Sequence, residues 1–360
     1  MRRGGNLLRV LLATWFVAAP SCDQAETDEA LDLARKVVFD LTTCAFTAER
    51  HFTADVGGET IDWDERVKSA GDGKNISVEL VARNGLTRDQ ISDAAELEAF
   101  DLLAAHLAAG GGSRVLFQRD PIPDDVDRLL LNYEVSLVEV GREPITARGE
   151  PALTYKVEPI YADRPFYVLT ASTHRLRQGF PIECQEYVQD ANGPRLVSDM
   201  KVTSVTWGAP ADVVAPASPI VLRSPLDSIA TARQLAGQIG LSLFLPQDGS
   251  MPLGFELVKV EEVQYQTTAN LAGSLETLTI YRFVYSDGLE HVDFIEHLPI
   301  DTLPPEFVQG HGGLGVDLAM IASFGSITIG SLFHSGTQIT IESRIAADRF
   351  GLMLRSLVPL

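Results

Sequence analysis

The sequence predicts an α+β fold, with a long antiparallel meander carrying two helices followed by a smaller α+β unit. Three observations predict it. Apolar residues alternate with a period of two over most of the patterned segments, as half-buried strands require. Only a few segments switch to the helical period. Pro210, Pro216, Pro219 and Pro225 interrupt one low-charge stretch, which reads as a linker over 209–226 between units at 25–208 and 227–360.

Composition narrows the function classes. The chain has 360 residues, 45% of them apolar and 22% charged, which is the balance of a globular protein. It carries 29 Lys and Arg against 49 Asp and Glu, a formal charge of −20. Such a chain repels phosphate backbones, so general nucleic-acid binding is not expected. Three cysteines are too few for a disulfide scaffold or a four-cysteine zinc site. No metal and no cofactor is expected.

The first 22 residues read as an export address. Arg2, Arg3 and Arg9 precede an apolar run from Val10 to Ala19 that only Thr14 interrupts. The run is shorter than the roughly 20 residues that span a bilayer and fits the apolar region of a secretory signal. Ala19 and Ser21 place small residues before Cys22, as cleavage requires. The stretch also resembles a bacterial lipobox, whose terminal Cys is lipidated, so Cys22 is the candidate lipidation site. The expected location is the periplasm, either free or anchored to a membrane through that lipid alone.

In chain order, 27–41 reads as a helix with a stripe of Leu31, Ala34, Val37, Val38 and Leu41. Period two follows from Cys44 to Phe52, with Cys44, Phe46, Ala48 and Phe52 on one face and Arg50 interrupting them. Strands near 61–69 and 75–81 come next, and then a helix over 88–108 ended by Gly110, Gly111 and Gly112. Further strands are expected near 115–118, 132–140, 152–159 and 166–170. A hairpin at 184–189 and 196–207 turns at Asp190-Ala191-Asn192-Gly193. After the linker come a short helix at 228–237 and strands at 255–266, 277–285 and 291–297. A hairpin at 327–333 and 337–343 and a closing helix at 346–357 complete the chain.

Catalytic motifs are missing from this pattern. No nucleophile elbow, phosphate-binding loop or zinc-protease motif is present. His291, Asp293 and His297 share a strand face, but the two histidines stand about 20 Å apart at roughly 3.3 Å per residue, too far for one ion. They read as a solvated face. Asp62, Asp64 and Glu65 read the same way, and Gly310-His311-Gly312-Gly313 reads as a turn rather than an oxyanion loop. Cys44 and Cys184 both fall on strands of the first unit. In an oxidising compartment they either pair or remain separate buried thiols.

One positive signal remains. Phe46, Phe52, Tyr133, Leu137, Tyr155, Val157, Phe166 and Val168 place large apolar side chains along one face of the first unit. Helices can cover such a face, or it can enclose a cavity suited to an acyl chain.

The order of elements resembles a known family. Residues 145–208 (ITARGEPALTYKVEPIYADRPFYVLTASTHRLRQGFPIECQEYVQDANGPRLVSDMKVTSVTWG) look like the second half of the LolA-like fold, which lipoprotein carriers share with RseB/MucB-type regulators. Residues 235–263, 282–297 and 339–357 resemble the C-terminal domain of the RseB/MucB group. The most specific piece is Tyr285-Ser286-Asp287-Gly288-Leu289, where Asp and Gly permit a tight turn that Tyr285 and Leu289 anchor. The resemblance implies a half-closed antiparallel β-barrel with helices plus a smaller α+β C-terminal domain. It implies a non-enzymatic periplasmic protein that senses lipid or lipoprotein and regulates a membrane-anchored anti-sigma factor. The alternative is a LolA-like carrier of lipoproteins or lipids.

Overall fold

The computed structural model describes residues 29, 31–35, 45–56, 58–71, 76–108, 125–142, 149, 151–173, 179–208, 210, 220–267, 276–299, 318–324 and 326–360. Residues 1–22, Cys44, the strand expected at 115–118 and the 310–313 loop lie outside them.

The first half is an eight-stranded antiparallel sheet. Its strands are β1 (Ala45–Val56), β2 (Glu59–Ala70), β3 (Ile76–Arg83), β4 (Tyr133–Arg142), β5 (Pro151–Pro159), β6 (Phe166–Ser172), β7 (Phe180–Asp190) and β8 (Gly193–Trp207). Their spatial order is β4-β5-β6-β7-β8-β1-β2-β3. Among the described residues β3 and β4 do not pair with each other, so no closed barrel forms there; the sheet is antiparallel, as expected. Residues 31–35 are helical and bring Leu33 and Ala34 into the core.

The helix expected over 88–108 begins later. A 3-10 turn occupies Arg88–Gln90, and α1 (Ala94–Ala108) starts after Asp93. The Asp93 carboxylate accepts the Ala95 and Glu96 N–H groups, each at 3.0 Å, and so caps the helix. A further helix, α2 (Asp125–Asn132), immediately precedes β4 and was not expected from the sequence. Phe100, Leu103 and Leu107 from α1 and Leu129 from α2 join the core on the sheet.

The second half continues with β9 (Ile220–Pro225), α3 (Ile229–Gln238), β10 (Phe244–Pro246), β11 (Glu256–Thr267), β12 (Glu276–Ser286) and β13 (His291–His297). After these come β14 (Leu318–Phe324), β15 (Ile327–His334), β16 (Thr337–Ser343), α4 (Ala347–Arg355) and β17 (Leu357–Pro359). Its sheet order is β14-β15-β16-β13-β12-β11-β9. The proline-rich segment at 209–226 therefore ends in a strand, with Pro225 at the edge, where its missing N–H costs no ladder bond. Ser228 caps α3 by accepting the Thr231 N–H. The strands β10 and β17 form a separate two-stranded ladder under the C-terminus. A second core of Phe283, Phe294, Ile339, Ile341, Phe350 and their neighbours lies under α3 and α4.

The two halves join into one sheet where β1 pairs with β14, and among the described residues that pairing is a single residue pair, Val56 with Phe324. One residue pair cannot hold two lobes in register, so their arrangement depends on side chains.

Candidate functional site

Those side chains gather where the β12–β13 turn enters the first half. Leu289 is 2% exposed and belongs to the core of the first lobe, although it lies in the chain of the second. Tyr285, four residues earlier, packs on the second core. The turn between them is a plug with an anchor in each lobe.

Asp287 sits at its centre, fully buried. Its Oδ1 accepts the N–H groups of Leu289 (2.9 Å) and Glu290 (2.6 Å), which shapes the turn. Its Oδ2 accepts the Tyr133 hydroxyl (2.8 Å) and Arg164 Nη1 (2.6 Å) from the first lobe. Asn132 Nδ2 donates to the Asp287 carbonyl at 2.9 Å. Arg164 is buried too, donates to the Leu253 carbonyl, and lies 4.8 Å from the Phe255 ring centroid. Gly254 has φ +86°, and a Cβ there would stand 1.9 Å from Asn132 Oδ1. Only glycine fits this close approach between the lobes.

A second cluster continues the seam. The Tyr167 hydroxyl donates to Glu290, and Arg344 binds Glu186 at 2.6 Å, with Glu290 3.8 Å away. Ser326 also donates to Glu186, and the Ala346 N–H donates to the Asp163 carbonyl at 2.8 Å. Every one of these contacts joins the first half of the chain to the second, except the ion pair of Arg344 with Glu290.

Burial governs the protonation of these groups. It pushes the carboxyls of Asp287 and Glu186 up, opposed by Arg164 and Arg344 respectively. Burial also works against the Arg164 and Arg344 guanidinium groups, but the facing carboxylates outweigh it and hold both cations charged. Burial first, and then the nearby carboxylates, keep the hydroxyls of Tyr133 and Tyr167 protonated as donors. The seam is thus a set of charged and hydroxyl groups bound to one another. Buried ion pairs of this kind fix one geometry more than they add stability.

The eight residues expected to line a cavity divide between two environments. Phe46, Phe52, Tyr133, Tyr155 and Val157 are buried in the first core. Phe46 packs edge-on against Phe180 at 5.1 Å, and Phe52 stacks on Trp63 at 4.9 Å. In β6 the register pairs Tyr155 with Leu169 and Val157 with Tyr167, so Tyr167 and Leu169 point inward. Phe166 and Val168 are on the opposite face, where Phe166 stacks on Tyr187 at 5.1 Å. The β6 part of the expected face is therefore corrected by one residue. Both faces of β6 are apolar, so alternation alone could not choose between them. Leu137 is 41% exposed, near a bulge in β4. Two surface depressions lie on α3, beside Leu360, and on α1, and none of the eight residues lines either.

The remaining candidates find structural partners. Arg50 stays on the inner face of β1 and is ion-paired with buried Glu65 of β2. Of the three acids expected on a solvated face, Asp62 and Asp64 face outward, bound to Thr53 (2.6 Å) and His51 (2.8 Å), whereas Glu65 is buried because alternation turns it inward onto Arg50. The expected solvated face on β13 is half-buried instead. Asp293 binds Arg282 at 2.6 Å, and His297 is buried, its ring bonded to the Leu298 carbonyl. No group of three metal-ligating side chains occurs among the described residues. No described helix is long and apolar enough to cross a membrane. Cys184 is a buried thiol.

Sequence reasoning missed Arg164, Glu186, Glu290 and Arg344, and it read Asp287 only as a turn former. The available signal was a Tyr-Ser-Asp-Gly-Leu turn bordered by large apolar residues, too greasy for a solvent-exposed hairpin.

No protein family profile matches the chain. No curated protein matches it. Among solved structures, the complex of Pseudomonas aeruginosa MucA/MucB aligns with 92% of this chain and 99% of its own, at 16% identity and a TM-score of 0.45. MucB in complex with MucA(peri), and MucB without that partner, align over 92% of this chain and 98% of theirs, with the same identity and TM-score.

Proposed function

We propose that this chain is an exported, non-enzymatic binding protein of the RseB/MucB type, which holds a membrane-anchored anti-sigma factor on its periplasmic side. The observation that carries this reading is the Tyr285–Leu289 turn. The string most specific to the resemblance is also the piece that locks the two lobes, with Leu289 in one core and Asp287 bound to Tyr133 and Arg164. A protein that grips a partner across two lobes needs those lobes fixed, and a solvent-exposed turn would not do this. The seam residues are paired with one another, which suits holding rather than catalysis. In an acyl carrier Phe46, Phe52, Tyr155 and Val157 would have to be displaced from a filled core, so a protein ligand is the first to test.

The test is affinity capture from the detergent-solubilised envelope of the source cell, followed by mass spectrometry of proteins and of extracted lipid. Recovery of an anti-sigma factor at stoichiometric level is expected. Recovery of diverse lipoproteins, or of an acyl chain without a protein, would replace this reading with the carrier. Recovery of neither would end both.

A further inference from the structure

The buried carboxyl groups among the described residues face arginines, with one exception. Glu65 faces Arg50, Glu186 and Glu290 face Arg344, Glu261 faces Arg282, and Asp287 faces Arg164. Glu296 of β13 is buried to the same degree with no cation paired to it. Its Oε2 accepts the Phe244 N–H at 2.8 Å, and its Oε1 is buried with no hydrogen-bond partner among the described residues. A carboxylate held by one N–H and shut away from water is strongly disfavoured, so the closed structure keeps Glu296 as a neutral acid.

The element above it is lightly held. β13 is laddered on both sides, to β12 and to β16, and cannot move without breaking the sheet. β10 is three residues long, and its strand partner is β17, itself three residues. Hydrogen bonds fasten this segment to the large sheet at two places, the Phe244 N–H on Glu296 and the Thr337 hydroxyl on the Ser242 carbonyl at 2.6 Å. The side chains of Leu243, Phe244 and Leu245 pack beneath it in the second core. Water therefore reaches Glu296 at least cost by way of β10.

The groups that face Glu296 supply no fixed countercharge. On β12, Tyr281 stands opposite it and gives its hydroxyl to Glu262 of β11. Tyr285, also on β12, is held at about 12 by burial and by the carboxyl groups of Asp248 and Glu296. On β16 the opposite residue is Ile339. His334 of β15 sets its ring against that of Phe244, with centroids 4.8 Å apart. The helices α3 and α4 turn Ala232, Ala236, Phe350 and Met353 to this core, and their Arg233, Asp348, Arg349 and Arg355 are exposed.

We propose that Glu296 is a proton-operated latch: protonated, it lets β10 and β17 lie closed on the second core, and ionised, it draws water in and lifts them, so that rising pH uncovers Leu243, Phe244 and Leu245. The device does not depend on what the protein binds. In the open form Glu296 meets water and ionises as an ordinary glutamate. Opening then releases a proton at any pH above the ordinary 4.5, and it grows by up to about tenfold per pH unit until the raised pKa of the closed form is reached. Acid closes the strap, and alkali opens it.

Backbone hydrogen exchange read by NMR from about pH 5 to 8 tests this, after correction for the pH dependence of unstructured amides. The Phe244 amide reports the latch, and the Phe294 amide, in the middle of β13, reports the sheet. In wild type Phe244 should be at least about tenfold less protected than Phe294 and should lose up to about tenfold in protection per pH unit. Glu296→Gln, neutral at every pH, should remove the Phe244 slope, and His334→Gln should keep it. The Glu296 side-chain carboxyl signal in wild type should titrate above the ordinary 4.5, which serves if Glu296→Gln does not fold. Equal protection of Phe244 and Phe294 at every pH would overturn the proposal, because the strap then opens only when the whole lobe unfolds. So would a flat wild-type profile, a slope that survives Glu296→Gln or disappears in His334→Gln, or a Glu296 carboxyl that titrates at its ordinary value.

Discussion

Replacing Asp287 by alanine should uncouple the two lobes. The carboxylate accepts four hydrogen bonds at 2.6–2.9 Å, from Arg164, the Tyr133 hydroxyl and the N–H groups of Leu289 and Glu290. Its removal leaves the buried Arg164 guanidinium without its facing carboxylate, although the Leu253 carbonyl, Asp163 and Tyr133 remain beside it. Breaking a buried pair from one side costs about 3–5 kcal/mol, and the hydrogen bond lost by the Tyr133 hydroxyl adds about 1 kcal/mol. That penalty falls on the contact between the lobes, because among the described residues their only strand pairing is Val56 with Phe324. Tryptophan separates the lobes in an assay. In protein that begins at Asp23, and so lacks Trp15, the tryptophans are Trp63 and Trp207, and both belong to the first lobe. Urea unfolding followed by fluorescence therefore reports the first lobe, while far-ultraviolet circular dichroism reports both. Wild type should show coincident transitions, and Asp287→Ala should show two, separated in midpoint. Arg164→Met with Asp287→Leu should recover much of the loss, since an apolar pair strands no charge. Coincident transitions in Asp287→Ala with a loss below about 1 kcal/mol would refute the reasoning.

Three other outcomes are expected. Gly254→Ala forces a side chain into a left-handed backbone at φ +86° and against Asn132, at a cost of about 1–3 kcal/mol measured by urea unfolding. Gly330→Ala places a Cβ 2.8 Å from Phe350 Cζ, and overpacking of this kind costs about 1–3 kcal/mol; adding Phe350→Leu should relieve part of it. Glu296 is buried with no cation paired to it among the described residues, and burial holds its carboxyl well above the ordinary 4.5, opposed by the Phe244 N–H. The folded state therefore keeps a proton that the unfolded chain releases above pH 4.5. Stability should fall with rising pH from there until the raised pKa is reached, by up to about 1.4 kcal/mol per pH unit. Glu296→Gln should remove that slope, as thermal unfolding at pH 5, 6, 7 and 8 would report.

Legibility differed among elements for identifiable reasons. The β7–β8 hairpin was readable because Asp190-Ala191-Asn192-Gly193 carries its own turn chemistry. The strands β11, β12 and β13 were readable because they are rich in β-branched and aromatic residues and Ser286-Asp287-Gly288 punctuates the last two. The helix α2 was missed because its eight residues run straight into a strand, and β10 and β17 because three residues hold too little pattern. The start of α1 was misplaced by six residues, since Asp93 caps it through a side chain that could equally have served a loop. Arg50 looked like an interruption of a buried face. It lies on that face, because Glu65 on the neighbouring strand neutralises it, and pairing across strands cannot be seen in one segment.

By itself the sequence determined the class of this protein. Period-two alternation imposes strands, glycine and asparagine place turns, and the acidic composition turns away polyanions. These are local or summed properties, carried by each segment alone. Tertiary structure decided what joins the halves. Tyr133, Arg164, the Asp287–Glu290 turn and Arg344 lie far apart in the chain, and each carries ordinary polar residues in its own segment. They become a lock only because folding removes water from all of them together. A buried charge must then find its partner, wherever in the sequence that partner stands.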